Sequence, residues 1–245
     1  MDRGGEFTIN GIHSREINSL IQERPLIPTP ERDIELKEVA GVSGSYVFDN
    51  ESYKNSPVSL NLFALSHAEH ATNGLKDKIK AIFSTGKYMD IVFYHEKDKV
   101  YQAITTAGPD FELSGQTPLL LPYTVDLSFH PFKYSLDAFF AEGGSDLEFE
   151  NPTFFEAEPL ITIYGSGDIT LKVNGKDFVF KDVDDYIKVD SEVKHAYKEQ
   201  GNIFIDRDDR MYTNDFPLLK PGLNQLSITH GTATFDIEPR WRSLV

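Results

Sequence analysis

Short segments in which apolar and polar residues alternate with a period of two recur along this sequence. Each is bounded by Gly, Pro, Asn or Asp, and the clearest are Tyr88 to His95, Val100 to Thr105, Tyr123 to Phe129, Leu160 to Tyr164, Ile169 to Val173 and Leu226 to Ile228. Successive side chains of a strand point to opposite faces, so this alternation is typical of strands that bury one face. The sequence therefore predicts a mostly β protein.

One segment departs from this pattern. Its apolar residues recur at intervals of three or four, at Leu75, Ile79, Ile82 and Phe83. This spacing places them on one face of an α-helix. Asn73 is a residue type that caps helix N-termini, and Gly86 is one that follows C-termini. The pattern predicts a single α-helix, from Asn73 to Ser84, on a β framework.

The dipeptide Asn174-Gly175 predicts a tight hairpin. It lies between two alternating runs, Thr170 to Val173 and Asp177 to Phe180. Asn and Gly both tolerate the positive φ angles that a two-residue type I′ turn requires. The two runs are therefore expected to pair as antiparallel strands.

The composition changes near residues Ala141 to Asn151, where a polar, glycine-containing run separates two apolar blocks. Such a run is typical of a flexible linker, and it predicts a domain boundary. Both halves are acidic: residues 1 to 140 carry a net charge of -6, and residues 141 to 245 carry -9. Neither half is therefore a basic arm.

The net charge excludes several classes of partner. The chain has 24 Lys and Arg against 39 Asp and Glu, a formal charge of -15. This sign disfavours binding to nucleic acid phosphates or to anionic membranes.

The absence of cysteine excludes disulfide scaffolds, thiolate metal sites and cysteine nucleophiles. No stretch approaches the roughly 20 apolar residues of a membrane span, so we expect a soluble protein.

No motif selects a catalytic or metal centre. His67 and His70 lack a clear third ligand for zinc. The acidic clusters Asp182 to Asp185 and Asp206 to Asp209 lack the glycine and glutamate of an EF-hand loop, so we interpret them as solvated hairpin tips. Gly165 to Gly167 lacks the third glycine and the following helix of a dinucleotide loop, and it predicts a turn. The expectation is no catalytic residue, no cofactor and no metal.

Several motifs, in this order, carry a resemblance to a known family: Phe7 to Gly11, Pro28 to Val39, Asn151 to Thr153, Pro159 to Gly167, Val173 to Gly175, Phe216 to Asn224 and Pro239 to Arg242. The set resembles the distal tail protein of bacteriophages with long, non-contractile tails. The resemblance spans nearly the whole chain.

The resemblance implies two domains. Residues 1 to 140, with the closing segment 236 to 245, would form a tail-tube-like β-sandwich with one helix and an extended hairpin that belts the neighbouring subunit. Residues 145 to 235 would form a galectin-like outer β-sandwich. Trp241, the only tryptophan, would then pack on the N-terminal domain. No tryptophan would remain in the outer domain to stack on a sugar, so that domain is expected to contact protein.

The resemblance also implies a function without enzymatic activity. Six copies would form a ring at the distal end of the virion tail, with a central channel for DNA. The partners would be the ring itself, the major tail tube protein, the tail-associated lysin or fibre hub, and baseplate or receptor-binding proteins, with no specific nucleic acid and no membrane. Assembly would take place in the host cytoplasm. Two alternatives remain: a carbohydrate-binding module for host cell-wall adhesion, and a glycosidase-type enzyme.

Overall fold

A computed structural model describes residues 4 to 112, 119 to 139, 142 to 201 and 203 to 245. The chain forms two units. The first comprises the residues up to Lys133 together with Leu244–Val245, and the second is Tyr134–Ser243. No helix in the described residues is long and apolar enough to cross a membrane.

The first unit contains nine strands and one α-helix in its described residues. They are β1 (Phe7–Ile9), β2 (Ile12–His13), β3 (Ser19–Ile21), β4 (Arg32–Glu38), β5 (Ser45–Tyr53), β6 (Ser56–Leu65), α1 (Thr72–Phe83), β7 (Met89–Phe93), β8 (Lys99–Phe111) and β9 (Leu120–Ser135), whose last two residues belong to the second unit. The main sheet has the order β2-β1-β7-β8-β9-β6-β3, while β4 and β5 form a separate two-stranded sheet.

The second unit is a pair of antiparallel sheets. Its strands are β10 (Glu142–Gly144), β11 (Asp146–Asn151), β12 (Leu160–Gly165), β13 (Gly167–Val173), β14 (Lys176–Val183), β15 (Tyr186–Asp190), β16 (His195–Gln200), β17 (Ile203–Asp206), β18 (Gly222–His230) and β19 (Ala233–Glu238); β20 (Arg242–Leu244) follows and pairs with β9. One sheet has the order β10-β19-β12-β15-β16-β17 and the other β11-β18-β13-β14. This architecture confirms the predicted mostly β fold class.

The predicted helix is present, but its start differs from the prediction. Ile79 and Phe83 are buried in the core of the first unit, as the spacing indicated. The helix begins at Thr72, so Asn73 lies inside it and does not cap it. A side-chain cap requires an extended residue before the helix. Here a short 3-10 turn leads directly into α1, and Ala71 already has helical backbone angles.

The predicted linker is wrong, because most of it is strand. Ala141 lies outside the described residues, but β10 pairs with β19 and β11 pairs with β18. In β11, Leu147 and Phe149 pack against the second core, while Glu148 is exposed. The same alternation that identifies the other strands was present here, masked by the glycines and carboxylates. Backbone pairing and burial of one face outweigh the local polar composition.

The predicted hairpin is confirmed. Asn174 and Gly175 have φ angles of 50° and 85°, and Val173 pairs with Lys176. The Asn174 side chain also donates to Asn224 Oδ1 at 2.8 Å and accepts from the Gln225 N–H at 3.0 Å. Asn174 therefore forms the turn and also joins its tip to β18. Gly165 ends β12 and Gly167 begins β13, so Ser166 alone connects these two strands.

Trp241 lies in the second core, not on the first unit as expected. It is 8% exposed, and its ring centroid lies 5.7 Å from that of Phe149. The chain returns to the first unit only at Leu244–Val245, where the Val245 N–H donates to Pro131 O at 3.1 Å. The closing motif thus completes the core of the second unit before the chain leaves it.

Trp241→Ala is expected to destabilise the second unit by about 3 to 5 kcal/mol, the range for emptying a large aromatic site in a core. Trp241→Phe, which refills most of the space, should cost less. Urea unfolding followed by far-ultraviolet circular dichroism measures both values. A native emission maximum typical of a water-exposed indole would contradict the buried position.

The stability of the first unit should fall as the pH drops below about 6.5. Burial lowers the pKa of His95 below its ordinary value of 6.5, and Arg24 and Lys133 lower it further against an opposing effect of Glu96. The unfolded chain therefore binds this proton first, so acidification favours unfolding. His95→Phe keeps an aromatic ring against Phe93, 5.4 Å away in the native protein, and should flatten this dependence.

The free energy of unfolding of the wild-type protein and of His95→Phe is measured between about pH 5 and 8. The difference isolates the contribution of His95, because the two proteins share the other six histidines. Parallel stability profiles of the two proteins would refute the assignment.

Candidate interaction surfaces

The hairpin β4–β5, which we call the arm, contributes no side chain to either buried core. Its strands pair with each other alone, with Leu36 opposite Val47 and Glu35 opposite Phe48. Leu36 is 61% exposed, Val47 62% and Phe48 50%. Paired residues share a face, so Leu36 and Val47 lie on one face and Phe48 lies on the other. The arm therefore exposes apolar side chains on both faces.

The base of the arm is held by an ion pair and by aromatic contacts. The Arg32 guanidinium donates to Asp49 Oδ1 at 3.0 Å and to Oδ2 at 2.7 Å, and it lies 5.0 Å from the Tyr53 ring centroid. The hydrogen bond from Arg32 holds the pKa of the Asp49 carboxyl below its usual range. Tyr53 in turn packs edge-on against Phe132 at 5.6 Å. These contacts set where the arm leaves the first unit.

A two-stranded hairpin by itself is marginally stable in water. Exposed apolar side chains that are contiguous mark sites where another protein binds. The arm combines both features. We interpret it as a surface that is completed by contact with another protein chain.

A second group of charged residues lies within the second unit. Arg240 donates to both oxygens of Asp190, at 2.8 and 3.0 Å, and to Glu192 Oε2 at 3.0 Å. The Tyr134 hydroxyl donates to the other oxygen of Glu192 at 2.5 Å. The side chains of Arg240 and Asp190 are only 14% and 9% exposed. Burial acts against the charge of Arg240, but the bonds with Asp190 outweigh it and raise the pKa of the guanidinium.

Arg240 has a φ angle of 55°, in the left-handed region that side chains seldom adopt. Two residues further on, Arg242 donates to Glu156 O at 2.7 Å and forms an ion pair with Glu158. Through Tyr134 and Arg240, residues near both ends of the second unit bond to Asp190 and Glu192, which lie near the middle of its sequence. We interpret the network as structural, because its charges are paired and mostly buried.

The acidic cluster around Asp182 to Asp185 is ion-paired. Lys198 lies 3.7 Å from Asp184 and 3.8 Å from Asp185, and Arg210 lies 3.4 Å from Asp182. All three aspartate side chains are about four-fifths exposed. The arrangement fits the predicted solvated tip.

The structure brings His195 to the second acidic cluster, which the sequence spacing could not indicate. Ligand-type atoms of His195, Asp206 and Asp208 lie within 4.8 Å of one another. His195 Nδ1 is 2.8 Å from Asp208 Oδ2, and the Ala196 N–H donates to Asp208 Oδ1 at 2.6 Å. Divalent cations bind at sites that combine an imidazole nitrogen with carboxylate oxygens. These hydrogen bonds already account for the arrangement, and the expectation of no metal stays a prediction.

His67 and His70 do not form a metal-type cluster in the described residues. His67 Nε2 lies 3.0 Å from the amide nitrogen of Asn18, and His70 is exposed in the 3-10 turn before α1. Their interpretation as surface histidines without a metal stays a prediction.

Comparison with known proteins gives a match in structure and none in sequence. No family model and no curated protein matches the chain. The Dit (gp 19.1) protein of phage SPP1, described as a paradigm of the hub adsorption apparatus in phages infecting Gram-positive hosts, superposes with a TM-score of 0.70 and 13% identity, covering 99% of this chain and 100% of that one.

Two structures of the phage p2 baseplate in its activated conformation also match. The one with Sr has a TM-score of 0.55 at 9% identity, covering 98% of both chains. The one with Ca has a TM-score of 0.50 at 9% identity, covering 96% of this chain and 98% of that one. The chain thus has the fold of a phage distal tail and baseplate protein from end to end, and the resemblance that the motifs indicated is confirmed at the level of fold.

Arg240→Ala is expected to destabilise the second unit by about 3 to 5 kcal/mol, since it leaves Asp190 buried without its counter-charge. Trp241 is the only tryptophan and lies in that unit, so its fluorescence during urea unfolding reports the loss directly. Arg32→Ala is the matched control. It removes an equally bidentate pair that is about 40% exposed, so its loss of stability should be much smaller; because Arg32 lies in the first unit, far-ultraviolet circular dichroism follows the unfolding of this variant. Equal small losses in the two variants would contradict the importance of burial.

Proposed function

We propose that this chain is the distal tail hub of a bacteriophage with a long, non-contractile tail. The single observation that carries the proposal is the end-to-end likeness to the SPP1 Dit protein, with a TM-score of 0.70 over 99% of the chain. Both units and their order are included in that match. The protein acts as a structural component and not as an enzyme, in line with the hub and baseplate proteins that it matches.

In this proposal six copies close into a ring, with a central channel through which DNA passes. Cyclic closure satisfies repeated contacts without leaving an open filament. The arm supports this arrangement, because its exposed apolar faces require a neighbour and each copy in a ring has one. The first unit forms the ring and contacts the tail tube. The second unit faces outward and takes up baseplate or receptor-binding proteins.

The proposed location is the distal end of the virion tail, after assembly in the host cytoplasm. A carbohydrate-binding role is not favoured by any specific contact. Trp241 is the only indole in the chain, and it is buried in the second core, where it cannot stack on a sugar.

The proposal predicts six-fold rings of the purified protein, measured by native mass and seen with a central opening by negative-stain electron microscopy. Leu36→Asp, in the arm, should reduce the fraction in rings by on the order of tenfold, because it places an unpaired charge at an apolar contact. Phe154→Asp is the matched control. Phe154 is 94% exposed and lies in the second unit, so this variant should assemble normally.

Circular dichroism shows whether both variants keep the native strand content. A wild-type protein that stays monomeric at high concentration contradicts the ring. Equal assembly of all three proteins contradicts the role of the arm.

A further inference from the structure

Strand β17 is the last strand of the six-stranded sheet and pairs only with β16. The Arg207 N–H donates to Ala196 O at 2.8 Å. This bond determines which residues of β17 direct their backbone groups toward β16 and which direct them away from it. Backbone groups of an antiparallel strand alternate between its two sides, so those of Phe204 and Asp206 point away from β16. No backbone hydrogen bond joins Phe204 to another described residue outside this ladder. One side of β17 is therefore an open sheet edge.

Two apolar side chains of β17, those of Ile203 and Phe204, are also uncovered. Ile203 is 66% exposed and Phe204 is 67% exposed, and as neighbours in a strand they lie on opposite faces. Phe204 has one aromatic contact, with Tyr197 at 5.3 Å between centroids. Apolar side chains on both faces, together with an open edge, make a strand a template for pairing with another chain.

The other outer strands of the second unit are protected in the described residues. Residues 211 to 213 cover β14, where the Tyr212 N–H donates to Val179 O at 2.8 Å and Thr213 Oγ1 accepts from the Val179 N–H at 3.1 Å. In β11 the outward side chains are carboxylates, Asp146, Glu148 and Glu150, and β10 is three residues long with two glycines. Against these, β17 has neither a lysine nor a proline, which are the usual protections of an edge.

The charge near β17 indicates the chemistry of a partner. Asp206 ends the strand, and Asp208 and Asp209 follow. Asp209 lies 3.4 Å from Arg210, whereas the side chain of Asp208 is 50% exposed and faces His195. Residues 141 to 245 carry a net charge of -9. A basic segment would be attracted to this end of the strand, and an acidic one would be repelled.

We propose that β17 is a docking strand for an extended segment of a partner protein, which adds to the sheet edge with alternating apolar residues and a basic flank placed against Asp206 and Asp208. Main-chain hydrogen bonds to Phe204 supply affinity, and Ile203 and Phe204 supply the apolar contacts. The inference rests on the proposed function and extends it. It names the site by which the second unit of a hub would hold a baseplate partner.

The test uses the full-length protein and a fluorescein-labelled peptide of about nine residues in which Val and Thr alternate between terminal lysines, designed for strand addition. Phe204→Pro removes the outward N–H, and proline is tolerated at such an edge position. Phe204→Thr keeps that N–H and removes the ring. Fluorescence anisotropy measures binding, and circular dichroism verifies folding.

The wild-type protein should bind the peptide saturably, and Phe204→Pro should bind at least about tenfold more weakly, with Phe204→Thr in between. The same peptide with alternate backbone nitrogens methylated should not bind. Replacement of its lysines by glutamates should weaken binding, and added salt should weaken the binding of the lysine peptide.

Several results would overturn the proposal. They are no binding by the wild-type protein, equal weakening by proline and threonine, undiminished binding of the methylated peptide, and a glutamate peptide that binds as well as the lysine one. Concentration-dependent pairing of wild-type copies that Phe204→Pro abolishes would assign the edge to a second copy of this chain instead.

Native mass of the same variants separates this inference from the proposed function. Rings that form in Phe204→Pro while peptide binding is lost support both. Peptide binding without rings would leave the docking strand standing and remove the ring.

Discussion

The stability of the second unit depends on one buried network of charged and polar side chains. The network includes a residue where the chain enters the unit and a residue close to where the chain leaves it. Tyr134 begins the unit, and its hydroxyl donates to Glu192. Arg240, near the other end, donates to both Asp190 and Glu192. Buried ions stabilise a structure only when their hydrogen bonds are satisfied, and here both oxygens of Asp190 accept bonds from Arg240. The left-handed backbone at Arg240 is held by these bonds.

Much of this fold could be predicted from local pattern. The Asn174-Gly175 hairpin and the position of the single helix follow from rules that involve only neighbouring residues. The predicted linker failed because glycines and carboxylates hid the alternation of Leu147 and Phe149, whose burial depends on strands distant in sequence. The predicted cap at Asn73 failed for a related reason, since a preceding 3-10 turn had already started the helix. The prediction placed Trp241 in the wrong core, because the motif around it does not show its contacts with residues distant in sequence, such as Phe149.

The candidate surfaces were harder to predict than the fold. The sequence of β4 alternates like that of any strand, and nothing local indicates that no core lies beneath Leu36. His195 and Asp208 are 13 residues apart, and their 2.8 Å contact exists only because β16 and β17 pair. Exposure and edges are properties of the assembled sheets. A single sequence specifies which side chains alternate, whereas the completed topology decides which of them remain uncovered.

The arm and β17 both have open edges, but they differ in the apolar side-chain surface that accompanies the edge. The arm offers two faces with apolar side chains, and each of its strands pairs with the other on one side only, so its outer sides are open as well. A face buries side chains and therefore selects a partner with a complementary apolar surface. Strand β17 offers an edge, where Phe204 carries outward backbone groups that any extended segment can pair with. An edge is tolerant of side-chain identity, so charge must supply much of its discrimination. For the proposed docking at β17, the net charge of -15 on this chain works against pairing with a second copy and favours a basic segment of another protein.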